Sequence, residues 1–168
     1  MGSRVYFFFI SGSKKGKIRI ENDLALAYLA TGQVERARDL AADARRQIEE
    51  TGDERWMAAV VDTEAQVALA AGEVDEALRL AVSARGFANR SGNEFNGLMA
   101  MLTEARALRA AGRGEEAETR FGEAAAVART SRASNRLREV LRECADLRAD
   151  RVDHRGAYVL SSEALTVN

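Results

Sequence analysis

The stretch "LAAGEVDEALRLA", Leu69 to Ala81, decides the fold. Every residue in it suits a helix except Gly72, and the reason for that glycine is periodic. It belongs to one of three segments that align: "LATGQVERARDLAADA", "LAAGEVDEALRLAVSA" and "LRAAGRGEEAETRFGEAA". Gly32, Gly72 and Gly112 recur at a step of 40. So do Ala37, Ala77 and Ala117, then Ala44, Ala84 and Ala124, and before the glycine Ala25, Ala65 and Ala105. "TGDE" from Thr51 returns as "SGNE" from Ser91, again 40 later. A fourth copy runs through Ala145, Ala157 and Ala164, with Val152 in place of the glycine.

Each unit reads as two helices. The first ends at Gly32, Gly72 or Gly112, where a helix C-terminus favours a left-handed residue without a Cβ. The second starts within a few residues, with acidic side chains such as Asp75 and Glu115 near its positive end. It stops near Gly52 or Gly92, and Asp53 or Asn93 is placed to cap the next first helix. Gly72 is therefore a corner. The recurring alanines let helices cross closely. Apolar stripes come from Leu40, Ile48, Leu69, Leu78, Leu80, Val82, Leu108, Phe121 and Val127. No unit buries its face alone, so the units must stack. The expected class is all-α, an α-α superhelix of about four helix-turn-helix units.

Composition agrees. The 168 residues include no proline, and alanine is abundant. Proline breaks helix interiors and alanine is the best helix former. A chain of this size buries roughly 70% of its unfolded surface, enough for a stable core. The formal net charge of -1 gives no global field for nucleic acid or an anionic membrane. Cys144 is the only cysteine, so no intrachain disulfide is possible. No apolar run reaches the ~20 residues of a membrane helix. These features suggest a soluble, cytoplasmic protein with no direct nucleic-acid or membrane partner.

The spacing resembles the tetratricopeptide repeat, whose second half carries a glycine, two variable residues, Asp-Glu-Ala, an aromatic and another alanine. "AAGEVDEALRLAVSA" fits that pattern well, and the resemblance covers residues 19–168. The period is 40 where about 34 is usual. The family's terminal proline is missing, and Ala25, Ala65 or Ala105 stands for the glycine within the first helix. Longer units of this type resemble helical regions of bacterial transcriptional regulators and signalling ATPases. HEAT-type repeats share the 40-residue period and are the structural alternative.

Residues 1–18 read differently. All three lysines lie in "KKGK" (Lys14, Lys15, Lys17), and Phe7 to Phe9 sit in "VYFFFI". This segment is either tag-like or disordered, or it docks on the helical array of its own or a neighbouring copy.

Nothing in the chain assembles an active site, so no enzyme, cofactor or metal is expected. His154, the only histidine, falls by register in the turn of the fourth unit, and Cys144 on a first helix reads as a structural thiol. No His and Cys set has zinc spacing, and no glycine-rich loop matches a nucleotide motif. Glu64 and Glu104 read as inter-repeat ion pairs with an arginine of a preceding second helix, or else as carboxylates reaching a ligand. Trp56 reads as packing at the edge of the stack.

The resemblance implies that first helices line a concave groove. By register the groove receives Asn22 and Leu26, then Asp62, Gln66 and Leu69. Leu102, Arg106 and Arg109 follow, and then Arg142, Asp146 and Asp150. Arg106 and Arg109 share a helix face, and with Arg142 they suit a carboxylate or phosphate; arginine is also simply this chain's commonest base. The expected function is a protein–protein interaction module taking a peptide or helix in the groove, with the regulatory part of a bacterial transcription or signalling system as the context the resemblance implies. The alternative is a small-ligand or peptide sensor using the arginines. "GAYVLSSEAL" in the last unit would expose Tyr158, Val159 or Leu160 unless covered, which suggests a homodimer through that end or a continuation of the chain.

Overall fold

A computed structural model describes residues 14–150 and 154–167. The "VYFFFI" segment and Val152 lie outside them. The described residues form eight helices. They are α1 (Lys14–Ala30), α2 (Val34–Glu49), α3 (Glu54–Ala70), α4 (Val74–Ser91), α5 (Glu94–Ala110), α6 (Gly114–Thr130), α7 (Ser134–Asp150) and α8 (His154–Thr166). The array thus begins inside the basic stretch, and Ile18 of α1 is 1% exposed in the core. His154 opens α8 rather than lying in a turn.

The corners are more regular than the 40-residue repeat requires. Gly32, Gly52, Gly72, Gly92 and Gly112 all have positive φ, between 64° and 79°, and Arg132 follows at 54°. A left-handed residue therefore recurs every 20 positions, at both kinds of turn. At Gly72 the amide donates to the Leu69 carbonyl and Glu73 N–H to that of Ala68. These two hydrogen bonds close the helix end and satisfy carbonyls that the last turn leaves free. A Cβ at Gly72 would meet nothing within 4 Å, so backbone conformation alone selects the glycine there.

Capping divides the two candidate residues. The Asn93 side chain accepts from the Asn96 N–H at 3.1 Å, as a cap should. Asp53 makes no such bond; its carboxylate accepts from Lys15 Nζ at 2.8 Å instead. That hydrogen bond holds the Asp53 carboxyl below its ordinary pKa.

The recurring alanines form the core. Ala37, Ala41, Ala44 and Ile48 are the buried stripe of α2, and Ala77, Ala81, Ala84 and Ala88 that of α4. Steps of four, three and four keep each stripe on one helix face. Val82 lies one position past the stripe and is 44% exposed, unlike the other residues expected to be apolar core. Ala25, Ala65 and Ala105 are fully buried. Cys144 is buried, and burial raises its thiol pKa. In α8, Tyr158, Val159 and Leu165 are exposed, whereas Leu160 packs on the core.

Successive first helices touch, α1 with α3 and α3 with α5. Second helices are held apart by clefts, one between α2 and α4 and another between α6 and α8. The layer with the closer spacing is the inside of the curve, so the first helices form the inner layer.

Candidate functional site: the first-helix layer

The inner layer carries a polar strip. Asn22 on α1 and Asp62 on α3 occupy equivalent positions and are each 5% exposed. Gln66 Nε2 donates to Asp62 Oδ2 at 2.8 Å, one helical turn away. The Oδ1 atoms of Asn22 and Asp62 are buried without a hydrogen-bond partner. Burial pushes the Asp62 carboxyl up to about 6, against the opposing pull of the Thr103 hydroxyl, which gives its own hydrogen bond to the Met99 carbonyl, and of Gln66 and Arg106. A charge taken out of water favours its neutral form unless fully paired.

Farther along the layer the arginines are occupied. Arg106 on α5 donates through Nε to Glu143 at 2.9 Å and through Nη2 to Glu139 at 2.6 Å, both on α7. Its hydrogen bond to Glu143 is the main reason its pKa is raised further. Burial raises the Glu139 pKa, but bonds from Arg136 and Arg106 outweigh it and leave the group acidic. Arg109 pairs with Asp150. Arg142 and Asp146 on α7 are exposed. Leu102 is fully buried and Leu69 partly so. The strip thus runs from lone acceptors on α1 and α3 to an arginine bound by two carboxylates, with exposed charges on α7.

Glu139 and Glu143 were not singled out by the repeat. Their register partners are Met99 and Thr103, so the fourth unit introduces acids where the third has none. Their spacing of four residues, one turn of helix facing Arg106, is the signal that points to them.

Glu64 and Glu104 do pair with arginines of the preceding second helices. Arg45 reaches Glu64 at 3.3 Å and Arg85 reaches Glu104 at 2.9 Å. Trp56 is partly buried and packs on a core cluster. Among the described residues no group of three His, Cys, Asp or Glu side chains is arranged to hold a metal ion. No helix among them is long and apolar enough to cross a membrane.

The chain has the TPR-like helical-repeat fold. The structures it resembles include two of a Podosopora anserina protein described as a putative kinesin light chain with nearly identical TPR-like repeats. One, of a form with a single substitution, matches at 21% identity and a TM-score of 0.69, covering 90% of this chain and 74% of that one. The other matches at 21% identity and a TM-score of 0.66, covering 90% and 75%. No protein-family model and no curated protein matches the sequence.

Proposed function

We propose that the protein is a non-catalytic interaction module that takes a peptide or helix of a protein partner along its first-helix layer. The observation that carries this reading is the polar strip from Asn22 and Asp62 through Gln66 and Arg106 to Arg142 and Asp146. An inner layer serving only to pack would be apolar, since buried polar groups cost free energy when unpartnered. Arg109 joins the strip through its pair with Asp150. A groove built to hold a small anion on three arginines has less support, because Arg106 and Arg109 already commit donors to carboxylates.

The test is selection of a displayed peptide library on the immobilised chain. Arg142→Glu combined with Asp146→Arg changes two exposed residues and leaves the core untouched. Enriched peptides should lose about tenfold or more in affinity for the double variant. Peptides that bind both forms equally, or no enrichment at all, would contradict the reading. The long repeat unit favours a regulatory role in a bacterial transcription or signalling system, in the cytoplasm. The exposed face of α8 around Tyr158, Val159 and Leu165 suits a second copy of the chain. Light scattering that gives one monomer mass at all concentrations would count against that contact.

A further inference from the structure

The repeat contains its own comparison on the opposite face, among the second helices. Glu104 of α5 has a side chain only 5% exposed and is held from two sides. Arg85 of α4 donates through Nε at 2.9 Å, and Arg120 of α6 approaches with Nη2 at 3.0 Å. One unit earlier, half of this arrangement is missing. Arg45 of α2 reaches Glu64 of α3 only at 3.3 Å and gives its Nε to Glu49 at 2.6 Å. In the register of Arg120 stands Leu80.

The walls are thinner there as well. Ala42, Ala68 and Ser83 replace Val82, Leu108 and Glu123 of the next unit. A cleft of ≈ 460 Å³ results, between α2 and α4, with Glu64 and Val67 on its floor. Four glutamates and three arginines line it, so it carries an excess of one negative charge. The other two arginines are committed: Arg38 to Glu73 at 3.0 Å, and Arg79 to Glu76 through two bonds of 2.8 and 2.5 Å. Glu64 is left the least compensated. Burial drives its pKa up to about 6, with Arg45 and Arg79 opposing and Glu49 and Glu76 adding to the rise.

We infer that this cleft takes a guanidinium group on an aliphatic stem, which enters between α2 and α4 and pairs with Glu64 as Arg120 pairs with Glu104 one unit later. The planar fork of a guanidinium matches a carboxylate with two parallel bonds, which an ammonium does not. The stem lies against Leu80, Val67 and Ala41, which line the same cleft. The site is separate from the first-helix strip and does not depend on it. The guanidinium belongs either to a small molecule or to an arginine side chain of another protein.

Calorimetric titration of the full chain at about pH 7.5, where Glu64 is ionised, tests this. The probes are agmatine, the capped tripeptide acetyl-Ala-Arg-Ala-amide, and its lysine counterpart. Saturable one-site binding of at least one guanidinium probe is expected, with the lysine peptide weaker by about tenfold. Glu64→Gln removes the acceptor at constant shape, and Leu80→Arg supplies the internal arginine of the next unit. Each should weaken binding by about tenfold or more. Leu80 is partly buried, so the fold of Leu80→Arg is checked by circular dichroism, and Glu64→Gln decides alone if that variant does not fold. Binding of agmatine only assigns a small molecule, and binding of the peptide assigns a protein arginine. No saturable binding up to ~10 mM of either probe, or unchanged binding in Glu64→Gln, would overturn the inference.

Discussion

Asp62→Asn should change how the stability of the fold depends on pH. Asp62 is 5% exposed, with one oxygen on Gln66 and the other unpartnered. Burial places its folded pKa at about 6, above the ordinary 3.8. The folded chain therefore holds this proton more tightly than the unfolded chain does. Between those two values stability falls as pH rises, and above about 6 the full cost of burying the charge is present. That gap corresponds to about 3 kcal/mol, most of which develops between about pH 4 and pH 7.5. Asparagine preserves the volume and an acceptor for Gln66 but does not titrate. Urea unfolding followed by circular dichroism, on both proteins across this range, isolates the effect because every other group titrates in both. The stability of Asp62→Asn relative to the parent should rise by about 2–3 kcal/mol from the acid to the neutral end. A difference that stays constant with pH would mean that Asp62 ionises as it does in water, and the buried-carboxylate account would be wrong.

Other outcomes follow from the same packing. Gly72→Ala should cost about 1–2 kcal/mol in urea unfolding, from its positive φ alone, since no atom crowds the site. Arg132→Gly should do the reverse at the sixth corner and gain about 0.5–1 kcal/mol, because arginine holds a left-handed φ of 54° there. Glu104→Gln should cost about 3 kcal/mol, since Arg85 and Arg120 lose a nearly buried counter-charge. A loss under ~1 kcal/mol would mean those arginines turn to water instead.

Much of the fold was legible because its determinants are local. A glycine at each corner answers a backbone conformation that few other residues adopt, and the alanine stripes answer close helix crossing. Register also carried the pairing of Glu64 and Glu104 with arginines, because equivalent residues of stacked units meet equivalent neighbours. The regularity of the corners at every 20 residues was obscured at Arg132, where the sequence offers no glycine. The candidate site was less legible. That Asn22 and Asp62 are buried depends on how closely α1 approaches α3 and α3 approaches α5, which no periodicity reports. The pairing of Arg106 with Glu139 and Glu143 arises where the fourth unit departs from the repeat. The cleft at Glu64 exists because Leu80 and three small residues coincide on three different helices, and each of them alone is ordinary in a helical sequence.

The central claim is that the first-helix layer is the binding face. The most direct measurement is nuclear magnetic resonance mapping of backbone amides during titration with a peptide selected from the displayed library. The account predicts that the shifts concentrate on α1, α3, α5 and α7, around Asp62, Gln66, Arg106 and Arg142. Shifts confined to α2, α4 and α6 would contradict it and move the partner to the outer face.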